Sequence, residues 1–78
     1  MPTVLNSGPY RFYFYSNERN EPPHVHVRRD NSFAKFWLWP IALAGSKRFH
    51  SRELRTIQAI IEDHRTQFLE AWNEHIRR

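Results

Sequence analysis

Apolar and polar residues alternate along three stretches in the first half of the chain, a pattern typical of β-strands that bury one face. The three stretches are YRFYFYS at 10–16, HVHVRR at 24–29 and FAKFWLW at 33–39. Segments rich in turn-forming residues separate them. A short apolar run precedes the first stretch, and the residues that follow the third have no clear period. The pattern therefore predicts an antiparallel sheet of three to four strands.

From Ser51 onward the apolar residues recur every three or four positions instead of every two. The positions that share this stripe are Leu54, Ile57, Ile61, His64, Phe68, Trp72 and Ile76. At 100° per residue they stay on one side of a helix, so the pattern predicts one continuous helix from Ser51 to the C-terminal end. The elements together predict one α+β domain over residues 1–78, a small antiparallel sheet packed on one long C-terminal helix.

The predicted helix is longer than the sheet that it covers. A helix of about 26 residues is about 39 Å long, whereas a six-residue strand is about 20 Å long. The distal half of the helix still carries apolar side chains, which form a predicted partner-helix face: Phe68, Leu69, Trp72 and Ile76. We expect either residues 41–50 or a second chain to cover this face, and a homodimer is one of the open arrangements.

Alternation assigns one row of each strand to the helix and the other row to the opposite face of the sheet. The predicted inward rows are Phe12 and Phe14, Val25 and Val27, and Ala34, Phe36 and Leu38. The predicted outward binding face contains Arg11, Tyr13, Tyr15, His24, His26, Arg28, Lys35, Trp37 and Trp39. The opposite phase of the third strand stays open; it would bury Trp37 and Trp39 and bring Lys35 inward.

Composition and charge narrow the class of function. The chain has no cysteine, which excludes disulfides and thiolate metal sites. No apolar run approaches the roughly 20 residues of a membrane span, so we expect a cytoplasmic protein without membrane association. The net charge is +4, and residues 28–55 alone carry seven basic and two acidic side chains. This concentration of charge predicts an anionic partner, either nucleic acid or an acidic protein surface.

Two histidines, His24 and His26, fall on one side of the second predicted strand. Their spacing would let both rings reach one metal ion, but a site also needs a third ligand, for which the candidates are His50, His64, His75, Glu18 and Glu21. An H-x-H pair alone is a weak metal signal, and the nearby Arg28 and Lys35 would repel the ion. We therefore predict no metal and no cofactor. Metal-independent RNA cleavage needs an acid, a base and cations, and the candidates for these roles are His24, His26, Lys35, Arg28 and Tyr13. Polar positions on a binding face are the alternative role for the histidines.

Four strings give the chain a family resemblance: YFYSNE at 13–18, EPPHVHV at 21–27, AKFWL at 34–38 and LEAWNE at 69–74. Together they resemble the bacterial family called domain of unknown function 4160, and the resemblance extends over essentially the whole chain. The motif positions that carry over are Ser16, Asn17, Glu18, Pro23, His24, His26, Lys35, Trp37, Leu54 and Trp72.

The resemblance implies a function that the residue pattern alone does not. Members of this family are small prokaryotic proteins, commonly encoded beside a protein of the domain of unknown function 2442 type, and the pair resembles a type II toxin–antitoxin module. The resemblance therefore implies a toxin that binds a cognate antitoxin, in a complex that could contact operator DNA. It supplies no catalytic residue. A ribonuclease that uses the His24 and His26 face and a non-enzymatic binding module are the alternatives.

Overall fold

Five antiparallel strands and two helices form the protein, in a computed structural model that describes residues 3–15 and 20–76. The elements are β1 (Thr3–Ser7), β2 (Tyr10–Tyr13), β3 (His24–Arg29), β4 (Ser32–Leu38), β5 (Ile41–Lys47), α1 (Ser51–Asp63) and α2 (Arg65–His75). Within these residues no helix is long and apolar enough to cross a membrane. The predicted α+β class is confirmed, whereas the predicted strand number and the single long helix are wrong.

The five strands lie in chain order across the sheet, and two-residue turns connect β1 to β2, β3 to β4 and β4 to β5. Gly8, with a φ of 57°, forms the turn between β1 and β2, where a left-handed backbone favours glycine. Asp30 and Asn31 form the two-residue turn between β3 and β4, and Asp30 has a φ of 54°. The Trp39–Pro40 pair, joined by a cis peptide bond, connects β4 to β5. Neighbours in sequence are therefore neighbours in the sheet.

One face of the sheet, which we call the inner face, is buried beneath the helices. The predicted inward residues on this face are at most 6% exposed: Phe12, Phe14, Val25, Val27, Ala34, Phe36 and Leu38. Ile57 and Ile61 of α1 are fully buried in the same core. This burial confirms the predicted inward rows of all three strands, including the phase of the third. It also leaves the opposite row of each strand on the other side of the sheet.

The helical region breaks at His64, in the middle of the stripe that predicted one helix. The backbone of His64 has a φ of −117° and a ψ of 18°, outside the helical range. Its N–H is shared between the carbonyls of Ile60 and Ile61, both at 3.1 Å, which is common at helix ends. The His64 ring Nδ1 also donates to the Ile60 carbonyl at 2.9 Å. These contacts end α1, and α2 begins at the next residue, Arg65.

The break allows α2 to pack on the protein's own sheet. Phe68 lies 5.5 Å from Phe12, and Trp72 lies 5.5 Å from Phe14 in an edge-to-face contact, measured between ring centroids. The partner-helix face was therefore predicted wrongly as a surface for other chains. Its members are covered by the inner face of the sheet, either fully or, for Leu69, in part: Phe68, Leu69, Trp72 and Ile76.

A polar network fixes the start of α1 to the sheet. Arg29 of β3 donates two hydrogen bonds to Glu53, at 2.7 and 3.0 Å. The hydroxyl of Tyr10 donates a third to the same carboxylate at 2.9 Å. The guanidinium of Arg29 also lies 5.7 Å from the ring centroid of Phe49. Since Glu53 sits in the first turn of α1, its charge also complements the positive end of the helix dipole.

We expect Trp72→Ala to destabilise the fold by about 3–5 kcal/mol, because it removes a fully buried aromatic ring and leaves a cavity. The matched control is Trp39→Ala, whose side chain is 65% exposed and which should cost less than about 1 kcal/mol. Urea unfolding followed by circular dichroism measures both, and Trp72→Phe provides a milder variant if the alanine variant does not fold. Equal costs at the two positions would contradict the packing of α2 described above.

The Glu53 network should make stability depend on pH. The Arg29 hydrogen bonds hold the pKa of Glu53 below its usual value. The carboxylate therefore stabilises the fold fully above the unfolded pKa of about 4.3, and this contribution is lost as pH falls through the lower folded pKa. Wild type should be more stable than Glu53→Gln at neutral pH, and the difference should close in acid. Urea midpoints over this pH range test this.

The control for Glu53 is Glu70→Gln, a change at an exposed carboxylate of α2. Its difference from wild type should stay small at every pH, since exposed charges contribute little to folding. A difference between wild type and Glu53→Gln that is the same at neutral and acidic pH would show that the carboxylate charge does not stabilise the fold.

Candidate functional site

The face of the sheet opposite the helices, which we call the outer face, carries a compact aromatic cluster. His26 of β3 stacks on Tyr13 of β2, with ring centroids 5.6 Å apart and planes inclined by 22°. Tyr15 meets the same histidine edge-on at 4.6 Å and meets Tyr13 edge-on at 5.4 Å. The register pairs Tyr13 with His26 directly, so strand alternation brings the rings together. Three predicted binding-face residues therefore form one packed unit.

His24 belongs to the core instead of the exposed surface. Its side chain is fully buried, although alternation predicted an outward position. Its ring centroid lies 4.9 Å from that of Trp72 and 5.8 Å from that of Trp37. The cause is local: His24 is the first residue of β3, where the end of α2 brings Trp72 against the ring. Alternation gives the side of the sheet but does not tell which residues another element covers.

A backbone contact shows which ring nitrogen of His24 carries a hydrogen. Nδ1 lies 2.9 Å from the carbonyl oxygen of Pro22, and because a carbonyl only accepts, Nδ1 must carry the proton. The ring of His26 meets that of His24 edge-on at 5.2 Å. The two predicted catalytic histidines are thus adjacent, but a fully buried His24 cannot touch a substrate in this conformation.

Tyr13 is also poorly placed to act as a base. Only 3% of it is exposed, and burial, followed by its interaction with Tyr15, raises the pKa of Tyr13 to about 12. The hydroxyl therefore stays protonated at neutral pH. A general base works best with a pKa near the working pH. Of the predicted acid and base candidates, only His26 is both partly exposed and an imidazole.

The predicted cations of the outer face differ in their partners. Lys35 forms an ion pair with Glu21, and its Nζ lies 4.7 Å from the ring centroid of Trp37. The guanidinium of Arg11 lies 5.1 Å from the centroid of the Tyr13 ring. Its Nε is buried without a hydrogen-bond partner in the described part of the chain.

Arg28 is the most exposed of the predicted cations. Its guanidinium lies 5.4 Å from the ring centroid of Phe33, and its Nε donates to the Asp30 carbonyl at 3.1 Å. Since Lys35 is already neutralised by Glu21, Arg28 is better able to attract an anion from solution.

A groove of about 320 Å³ opens on the outer face beside the aromatic cluster. Its lining residues are Tyr13, Tyr15, His26, Phe33, Ala34, Lys35, Gly45, Ser46 and Lys47. Sequence reasoning did not select Phe33, Gly45 or Lys47 for a site. An isolated glycine signals a bulge only inside a recognised strand pattern. Residues 41–50 have no clear period, so Gly45 gave no usable signal.

Strand β5 forms one edge of the sheet and is the most exposed of its strands. All of its residues are exposed except Ile41, which is half-buried. Leu43 is 43% exposed, although it pairs with the inward Phe36. Trp39, just before this strand, is 65% exposed and lies under the guanidinium of Arg65 at 4.9 Å. Trp39, which was predicted to belong to the binding face, therefore lies beside the edge strand and apart from the aromatic cluster.

Among residues 3–15 and 20–76, no three His, Asp or Glu side chains come together in a group that could hold a metal ion. The motif residues Ser16, Asn17 and Glu18 lie outside the described residues.

We expect alanine substitution to lower the free energy of unfolding much more at His24 than at His26. His24→Ala should cost about 2–4 kcal/mol of stability, because it empties a buried site beside Trp72 and leaves the Pro22 carbonyl without its donor. His26→Ala, which removes a partly exposed ring, should cost less than about 1.5 kcal/mol. Urea unfolding of the two single variants measures this. A larger cost at His26 than at His24 would contradict the assignment of His24 to the core.

Comparisons with known proteins identify the family of the chain from its sequence. The searches of curated proteins and of solved structures found no match. The sequence model of a single family, described as domain of unknown function (DUF4160), matches residues 10–73. The matched segment runs from the start of β2 almost to the end of α2 and includes the aromatic cluster, the groove and the edge strand. The chain is therefore a member of the domain of unknown function 4160 family.

Proposed function

We propose that the protein is the toxin component of a prokaryotic type II toxin–antitoxin module and that its cognate antitoxin, of the domain of unknown function 2442 type, binds along β5. The family resemblance implies the toxin role. The observation that carries the interface is the exposed edge of the sheet at Ile41–Lys47. An edge strand has a row of unpaired backbone N–H and C=O groups, which a strand from another chain can pair with.

The side chains of this edge favour a protein partner. Residues 41–46 carry no charge, so pairing with a strand would desolvate no ionised group there. Leu43 and Trp39 supply exposed apolar surface at the same edge, at 43% and 65% exposure. Tryptophan is among the residues most enriched at the energetically important centres of protein interfaces, and Leu43 extends the apolar surface beside Trp39.

Charge favours an acidic antitoxin and a contact with operator DNA. Two of the basic residues between 28 and 55 are engaged internally, Arg29 with Glu53 and Lys35 with Glu21. The exposed remainder consists of Arg28, Lys47, Arg48, Arg52 and Arg55. Such cations would attract an acidic segment of the antitoxin or lend phosphate contacts to the complex.

The structure gives less support to the alternative of a metal-independent ribonuclease. Acid–base cleavage of RNA needs two groups that reach the substrate, and of the predicted imidazole pair His24 is buried. His26 is the remaining candidate. A non-enzymatic binding module would use the same edge and the same cations, so it differs from the toxin only in what its partner does.

Growth and copurification test the proposal together. The chain expressed alone in a bacterial host should slow growth, and coexpression of the antitoxin encoded beside it should restore growth and yield a complex. Leu43→Asp should weaken that complex about tenfold or more, because it places a charge in the centre of the paired edge. Ala59→Asp, the same kind of change at an exposed position of α1, should leave the complex intact.

Each outcome decides a different part of the proposal. Wild type that neither slows growth nor forms a complex would refute the toxin role. A complex that tolerates Leu43→Asp would move the interface away from β5. Loss of cellular RNA that disappears in His26→Ala would favour the ribonuclease, and the single substitution avoids the unfolding that His24→Ala should cause.

A further inference from the structure

The groove on the outer face exists because of a bulge in β5. Leu43 pairs with the inward Phe36, whereas Gly45 pairs with the outward Lys35. In a regular strand, residues two apart point to the same face, so the extra residue Ala44 turns Gly45 onto the outer face. Bulges often occur next to functional sites, where they redirect a side chain.

Gly45 leaves room at the floor of the groove. A Cβ atom built on this residue would meet no other atom within 4 Å, and its backbone is not left-handed. The position could therefore accept a larger side chain without strain. The glycine is required by neither its backbone conformation nor its packing, and its effect is to keep the groove open.

Aromatic rings line this space. Tyr15, which follows β2, is 38% exposed, and Phe33, which pairs with Lys47 across β4 and β5, is 37% exposed; both line the groove. His26, which packs against Tyr13 and Tyr15, lines the groove between them. Rings held in this way are suitable platforms for a planar aromatic ligand, because stacking is tolerant of the identity of the base.

Cations lie at one end of the groove. Lys47 is exposed and lines it, and none of the ion pairs in the described part of the chain involves this lysine. Arg28 lies over Phe33, 5.4 Å from the ring centroid, and adds a second positive charge nearby. An anionic group attached to a stacked ring would therefore meet positive charge at the Phe33 side.

We propose that this groove binds one nucleotide unit, with its base stacked between the aromatic walls and its phosphate beside Lys47. A volume of about 320 Å³ is at the small end of ligand sites, which start near 300 Å³, and so accommodates one such unit. The unit is either a free mononucleotide or one residue of a single-stranded RNA. The inference does not depend on the toxin role or on the antitoxin interface, which uses the edge and not the groove.

Titration with adenosine monophosphate, adenosine, inorganic phosphate and a short single-stranded RNA tests the proposal. Calorimetry gives the affinity, and the ring resonances of Tyr15 and His26 locate the ligand. Adenosine monophosphate should bind, and adenosine should bind more weakly by about tenfold, because it lacks the charged contact. An RNA that binds at least about tenfold more tightly than the monophosphate identifies RNA as the source of the unit, and equal affinities identify the free nucleotide.

A matched pair of substitutions in β5 distinguishes the groove from the rest of the face. Gly45→Leu should fill the groove and weaken binding of adenosine monophosphate by about tenfold or more, since the stacked position is lost. Ala42→Leu adds a side chain on the same strand and the same face, opposite Trp37, outside the groove lining, and should leave the affinity unchanged. Lys47→Ala should weaken the binding of adenosine monophosphate and leave the binding of adenosine unchanged.

Three results would overturn the proposal. The first is the absence of binding of both adenosine monophosphate and RNA at millimolar concentration. The second is a Gly45→Leu variant that binds as wild type does while remaining folded by circular dichroism. The third is inorganic phosphate that binds as tightly as the monophosphate, which would show a simple anion site. None of these results bears on growth inhibition or on the complex with the antitoxin, so the two proposals fail separately.

Discussion

The contact between α2 and the inner face of the sheet is the packing on which the rest of the structure depends. Phe12 in β2 and Phe14 just beyond its end project toward the helices, and they are covered by Phe68 and Trp72. A domain of 78 residues has a small core and a thin margin of stability, so it cannot leave several aromatic rings uncovered. The two helices that meet at His64 together provide this coverage. A straight helix of the same length, about 39 Å, would exceed the longest dimension of the molecule, which is 34 Å.

The one-sided coverage of the sheet also creates its two candidate surfaces. Because both helices pack on the inner face, the aromatic cluster around His26 stands on the opposite face beside the groove. Because the helices leave most of β5 uncovered, the last strand stays exposed as an edge. The bulge at Ala44 connects the two surfaces, since it turns Leu43 and Gly45 of one strand to opposite faces. The exposed strand edge and the groove lined by aromatic rings and Lys47 are therefore formed by neighbouring residues of β5.

Local pattern predicted the inner face of the central strands well. The rows containing Phe12, Val25 and Phe36 are buried as alternation indicated, because a period of two follows directly from strand geometry. The edge strand β5 was not predicted, since its run of small and apolar residues has no period. The number of helices was predicted wrongly for a different reason. His64 and Phe68 continue the apolar stripe through the break, so the period contains no sign of it.

The sequence indicated several residues of the candidate site but not how they are arranged in space. Alternation placed three residues on the outer face, and there they pack together: Tyr13, Tyr15 and His26. His24 does not join them as an accessible group, because the end of α2 covers it with Trp72. Lys47 and Phe33 were missed because their place in the groove depends on the pairing of β4 with β5. That pairing contains a bulge, which changes the face of the sheet to which the following residues of β5 point.

The sequence by itself determined the α+β class, the buried row of each central strand, the start of the helical region within one residue of Ser51 and the family to which the chain belongs. These features depend on periods and motifs that lie within short segments of the chain. Tertiary structure alone decided where the helix breaks, which histidine is buried and where the groove opens. Each of these depends on contacts between residues far apart in sequence, such as Trp72 with His24 and Gly45 with Lys35. A pattern confined to one element contains no information about its neighbour in space.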